Sequence, residues 1–195
     1  MSKWSAAILT LFVLLAGCSN VQMYPEHWAQ LEKTGDDQCL DLSGTYSNQA
    51  ESAKGDVSIS LAMLFFQTGT LEDSASTLND VEMVKIYNTH DELHVEALKD
   101  ARLVDKKVFN ESDGGILCEE VFWTVKGSTF VSWSGFVGKA SETNAYTVST
   151  DGLVVKRRVV IGGLSLFIPI ATSSEIWILY RNASIPSEEN EQSSR

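Results

Sequence analysis

From Cys39 onward the chain reads as short hydrophobic runs bounded by turn residues, several of them with the two-residue period of a strand half-buried on one face. Leu42 to Tyr46 is the first such segment. Val81 to Tyr87 and Leu93 to Leu98 flank a turn at Asn88-Thr89-His90-Asp91, and Arg102 to Phe109 follows. Ile116 to Val125 and Thr129 to Val137 are separated by Lys126-Gly127-Ser128, which reads as a hairpin turn. Tyr146 to Ser149, Leu153 to Ile161, Leu166 to Ile170 and Glu175 to Arg181 complete the series, punctuated by Asp113-Gly114-Gly115, Asp151-Gly152 and Gly162-Gly163. Short strands with turn signals at this spacing predict an all-β, mainly antiparallel fold: a sandwich or small barrel of about 8–10 strands.

Two stretches break the two-residue period. Residues 25–33 read as a short helix, with Pro25 and Glu26 in its first turn and Gly35 as a stop, and with Trp28 and Leu31 on one face. Residues 57–65 fit either period. Val57, Ile59, Leu61, Met63 and Phe65 alternate, whereas Leu61, Leu64 and Phe65 share a helical face with Ser58 or Ser60 as the cap. A short helix plugging one end of the β structure is expected. Residues 67–80 read as a loop, and 184–195, with Glu188, Glu189 and Glu191, as a disordered acidic tail.

The N-terminus has a different character. Lys3 precedes the apolar run Ala6 to Ala16, too short to cross a hydrocarbon core that needs about 20 residues. It suits the apolar region of a secretory signal peptide. Leu15-Ala16-Gly17-Cys18 resembles the bacterial lipobox. That resemblance implies cleavage after residue 17, palmitate and diacylglyceryl chains on Cys18, and a lipoprotein held firmly in a membrane, since two or more acyl chains anchor stably where one does not. Ser19 in place of Asp implies the outer membrane of a Gram-negative cell, with the domain facing the periplasm. The expected division is therefore a signal peptide at 1–17, a lipidated tether and helix at 18–38, a β-rich domain at 39–183 and the tail.

Removing residues 1–17 leaves 178 of the 195 residues and takes the net charge from −11 to −12, Lys3 being the one charge lost. So acidic a chain is unsuited to nucleic acid, and the lipid anchor rather than surface charge must hold it to a membrane. Cys39 and Cys118 remain as an even pair in an oxidising compartment, where a disulfide is expected.

Signs of catalysis are few. There is no G-x-S-x-G, no S-x-x-K, no P-loop and no dinucleotide fingerprint. His90-Asp91-Glu92-Leu93-His94 comes near the zincin pattern, but its flanks are strands, so it reads as a hairpin and no metal site is assigned. Glu72-Asp73 and Glu119-Glu120 are adjacent carboxylates, which a strand would point to opposite faces. No catalytic residue and no cofactor is assigned. The candidate ligand contacts are Arg157, for a phosphate or carboxylate headgroup, and Trp123 and Trp133, for the wall of a cavity.

Two further resemblances concern the mature chain. Cys39-x-Asp41-Leu42-Ser43-Gly44-Thr45-Tyr46-Ser47-Asn48 is similar to the opening of a group of small bacterial lipoproteins with no established activity, in which a second cysteine follows a D-G element, here 113–118. Gly44-Thr45-Tyr46 resembles the G-x-W of lipocalins, with residues 25–33 and Arg181 where those barrels place a helix and a packing arginine, although Tyr46 stands for Trp and the T-D-Y element is absent. The expected function is a non-catalytic binding or interaction module of the cell envelope, whose partner is an envelope protein or a lipid. The alternative is a lipocalin-like carrier of a small apolar ligand.

Overall fold

The structure, a computed structural model, describes residues 18–32, 40–52, 59–66, 78, 80–89, 92–112, 115–119 and 122–184. The segments 1–17 and 185–195, and with them the expected signal peptide and nearly all of the acidic tail, lie outside these residues, as does Cys39.

Among the described residues, eleven strands in two sheets and one helix can be followed. In chain order they are β1 (Cys18–Val21), β2 (Gly44–Ser47), β3 (Glu51–Ser52), α1 (Leu61–Phe66), β4 (Met83–Thr89), β5 (Glu92–Lys99), β6 (Arg102–Asn110), β7 (Leu117–Glu119), β8 (Phe122–Trp133), β9 (Phe136–Ser149), β10 (Gly152–Ser165) and β11 (Ile168–Arg181). The larger sheet runs β1-β11-β10-β9-β8-β7, with β3 beside the C-terminal half of β11. The smaller is the meander β2-β4-β5-β6. Among the described residues only β1, parallel to β11, breaks the antiparallel pattern. The sheets meet at one corner, where Tyr46 bridges Asn182 and the Ala183 amide donates to the Thr45 carbonyl at 2.8 Å. The arrangement is a sandwich, not a closed barrel.

The core lies between the sheets and is filled by α1. Leu61, Ala62 and Phe65 are fully buried. The Phe65 ring stacks on Tyr146 of β9 at 4.4 Å and meets Phe109 of β6 at 5.8 Å. Ser60 caps α1, its Oγ accepting from the Met63 amide at 3.3 Å. A second, smaller cluster covers the outer face of the large sheet, where Trp28 packs with Val154, Trp177 and Leu179, joined by Tyr24, Leu31 and Phe122.

Several sequence expectations change. Residues 25–32 contain no helix: a turn at 26–28 leads to Leu31, which bridges Ser149, and the Glu32 amide donates to the Val148 carbonyl at 3.0 Å. The segment instead continues the edge of β9 beyond the end of β8. The tether expected after Cys18 is strand β1, in register from Cys18–Thr172 to Val21–Glu175.

The glycine signals also mislead. Lys126-Gly127-Ser128 is the middle of β8, paired with Thr143, Glu142 and Ser141, and the reversal comes at Ser134-Gly135. Gly162-Gly163 lies inside β10, and Leu166-Phe167, expected to be strand, is the turn. The reason is steric. Gly138 and Gly163 face each other across β9 and β10, and the ring of Phe136 lies over both. A Cβ at Gly138 would sit 2.4 Å from the Gly162 carbonyl oxygen. These glycines permit close backbone approach within the sheet rather than chain reversal.

Candidate functional site

The four strands β8 to β11 are 12 to 14 residues long. Only their halves nearest Thr150 are sandwiched. Tyr146–Ser149, Gly152–Val155 and Trp177–Tyr180 are buried without interruption. The other halves run on past the core as a four-stranded arm ending in two adjacent turns. The Leu166 amide donates to the Gly135 carbonyl at 3.1 Å and so ties these turns together.

A row of charge marks where the arm leaves the core. Lys126, Thr143, Arg158 and Glu175 stand side by side across β8, β9, β10 and β11 on the outer face. Lys126 pairs with Glu119 at 2.8 Å and Lys156 with Glu175 at 3.1 Å. On the inner face Arg157 holds Glu142 through two bonds, Nε to Oε1 and Nη2 to Oε2, each 3.0 Å. Asn144 donates to the same Oε1 at 2.8 Å.

Beyond the Glu142 row the charges stop. Residues 127–141 and 159–174, Glu142 lying just outside, hold one ionisable side chain, Lys139, in a chain with 26 carboxylates. Large apolar side chains are exposed instead: Phe130 (71 %), Trp133, Val137, Leu164, Leu166 (76 %), Phe167 (96 %), Ile168 and Ile170. Leu166 and Phe167 occupy the turn at φ 47° and 71°, the left-handed region favoured by glycine and asparagine. A turn that is both strained and greasy, fully in solvent, is what a contact surface requires and what folding alone does not.

The sequence-predicted contacts do not converge here. Trp123 is buried, and its Nε1 donates to the Leu40 carbonyl at 2.8 Å, so it is a core residue. Arg157 is committed to Glu142. Trp133 is exposed in the arm, stacked on Phe136 at 4.3 Å, ten residues along β8 from Trp123, or about 33 Å in a strand. Arg181 pairs with Glu51 at 2.8 Å and Asp151 at 3.4 Å at the sheet margin. His94 binds Glu92 at 2.9 Å and stacks on Tyr87 at 4.8 Å, while its motif partner His90 lies outside the described residues. Cys118 is half-buried on β7, opposite Trp123.

Sequence reasoning missed the arm because it took the glycines as turns and so cut four long strands into short ones. The readable signal was compositional: two stretches nearly without charge in an acidic chain. The chain matches no family model, no curated protein and no solved structure.

Proposed function

We propose that this chain is a lipoprotein anchored in the outer membrane through lipidated Cys18, facing the periplasm, and that it acts as a non-catalytic interaction module of the cell envelope. The contact surface in this reading is the uncharged end of the long sheet. One observation carries it: nine of the fifteen large exposed apolar side chains among the described residues, Phe167 the most exposed, lie at one end of the large sheet, where acidic residues are absent. The carrier alternative receives less support, because it needs open space between the sheets and Leu61 and Phe65 fill that space. A disulfide between Cys39 and Cys118 belongs to the same reading. Its support is the even pair of cysteines left in a chain read as facing an oxidising compartment.

Cells grown with labelled palmitate test the anchor. Label on the wild type and none on Cys18→Ala is expected; an unlabelled wild type overturns the anchor. Native mass spectrometry of the mature protein released from detergent tests the module. An apo mass is expected, and a bound adduct of a few hundred daltons would favour the carrier.

A further inference from the structure

We infer that the paired turns of the arm, Trp133-Ser134-Gly135-Phe136 and Ser165-Leu166-Phe167-Ile168, dip into the phospholipid leaflet to which Cys18 is attached. The inference rests on the anchor reading and adds a second, protein-borne membrane contact.

Position is the first argument. β1 runs parallel to β11 and begins at Cys18, opposite Thr172. Since β11 starts at the turn, Cys18 is the end of β1 nearer that turn. Thr172 lies five residue steps from Phe167, about 17 Å of strand. No loose tether intervenes, because Cys18 to Val21 are locked in the sheet. An acyl chain on Cys18 therefore leaves the molecule at its apolar end, whereas the sandwich and its carboxylates lie toward the other.

Charge gives the second argument. An acidic domain is repelled by an anionic leaflet, yet this end carries no carboxylate and one lysine, Lys139. Arg158, exposed, follows at the charged row, on a long side chain able to reach headgroups. Phe130 sits between that row and the turns and Trp133 opens the first of them, and tryptophan in particular favours the interface between lipid and water.

The third argument sets the depth. β7 covers only Phe122–Thr124 of β8, and β1 only Thr172–Glu175 of β11. Past them the outer edges of β8 and β11 have no strand partner among the described residues. An open sheet edge cannot enter hydrocarbon, where its amides and carbonyls would go without partners. The turns therefore reach only the interface, about 5–10 Å down, and the sheet lies obliquely on the membrane.

The test uses the full lipidated chain in vesicles of phosphatidylethanolamine and phosphatidylglycerol. A single cysteine replaces Ser134 or Phe167 in the turns, or Thr150 at the opposite end, and carries an environment-sensitive fluorophore. The parent chain, without a new cysteine, gives the background. Flotation confirms attachment. The inference expects blue-shifted emission from positions 134 and 167, quenched about twofold or more by spin-labelled lipid near the headgroup, and water-like emission from position 150. A second variant replaces the strained pair, Leu166→Asn with Phe167→Gly. With the label at 134 it should lose the quenching while its unfolding midpoint rises, which separates loss of contact from loss of fold.

Four results overturn the inference. Water-like emission at 134 and 167 in floated protein does so and leaves the anchor reading intact. Blue-shifted emission that lipid quenchers do not touch assigns the turns to a second copy of the chain. Quenching strongest from labels at the acyl chain end means the arm spans the leaflet. Protein that neither floats nor takes up palmitate removes both readings.

Discussion

Asn48 ties two distant segments together through one amide. Its Oδ1 accepts from the Ala62 amide at 2.8 Å and the Ser60 hydroxyl at 2.9 Å, and its Nδ2 donates to the Val81 carbonyl at 2.8 Å. It is the last residue of the phrase Asp41 to Asn48, and the rest of that phrase is also structural. Asp41 accepts from the Ser43 amide at 2.9 Å, and the Leu42 amide donates to Asn88 at 3.3 Å. Tyr46 lies back over Gly44 and donates to the Leu42 carbonyl at 2.9 Å. Asn48→Ala leaves buried groups without partners and should cost about 2–3 kcal/mol in chemical denaturation. Tyr46→Phe should cost about 1 kcal/mol, whereas Tyr146→Phe should be nearly neutral, since the Tyr146 hydroxyl has no partner among the described residues.

The same tyrosines set an alkaline limit. Burial, with help from Asp41, pushes Tyr46 from 10.0 up to about 12, and burial also raises Tyr146 and Tyr180 well above the ordinary tyrosine value. The unfolded chain releases these protons from about pH 10 while the folded chain keeps them, so stability is full below pH 10 and falls as pH rises through 12. Unfolding midpoints between pH 9 and 12 should show this fall, with a shallower slope in Tyr46→Phe.

Among the elements, α1 and the arm have opposite roles. α1 is only six residues long and owes its helicity to what it packs against. Phe65→Ala empties the space between the two sheets and should cost about 3–5 kcal/mol. The arm is organised by glycine and one ring. Gly138→Ala drives a methyl against the Gly162 backbone and should destabilise by about 2 kcal/mol or more, with the loss confined, in hydrogen exchange, to β8–β11 beyond the charged row. The turn is the reverse case. Replacing Leu166-Phe167 by Asn-Gly relieves two left-handed residues and should stabilise by about 2 kcal/mol.

For the molecule as a whole, the fold sets a buried sandwich at one end and an uncharged arm at the other, with the charged rows between. The expected Cys39–Cys118 bond would close a loop of about 80 residues, and Cys39→Ser should lower stability by about 4 kcal/mol, read as a drop in unfolding midpoint that reductant reproduces in the wild type.

The all-β class was legible because alternation between apolar and polar positions is local, and so was the helix at 61–66, whose cap and apolar face lie within seven residues of one another. The acidic balance was legible too, being a sum over residues. Which glycines turn the chain and which let two backbones close on each other was not, because Gly138 and Gly163 acquire their meaning only when β9 lies beside β10. For the same reason only the tertiary structure could place Trp123 in the core and Trp133 in solvent, although both alternate correctly on one strand. Burial depends on what covers a strand. In this chain α1, the smaller sheet and residues 22–32 cover one half of the large sheet and leave the other half bare.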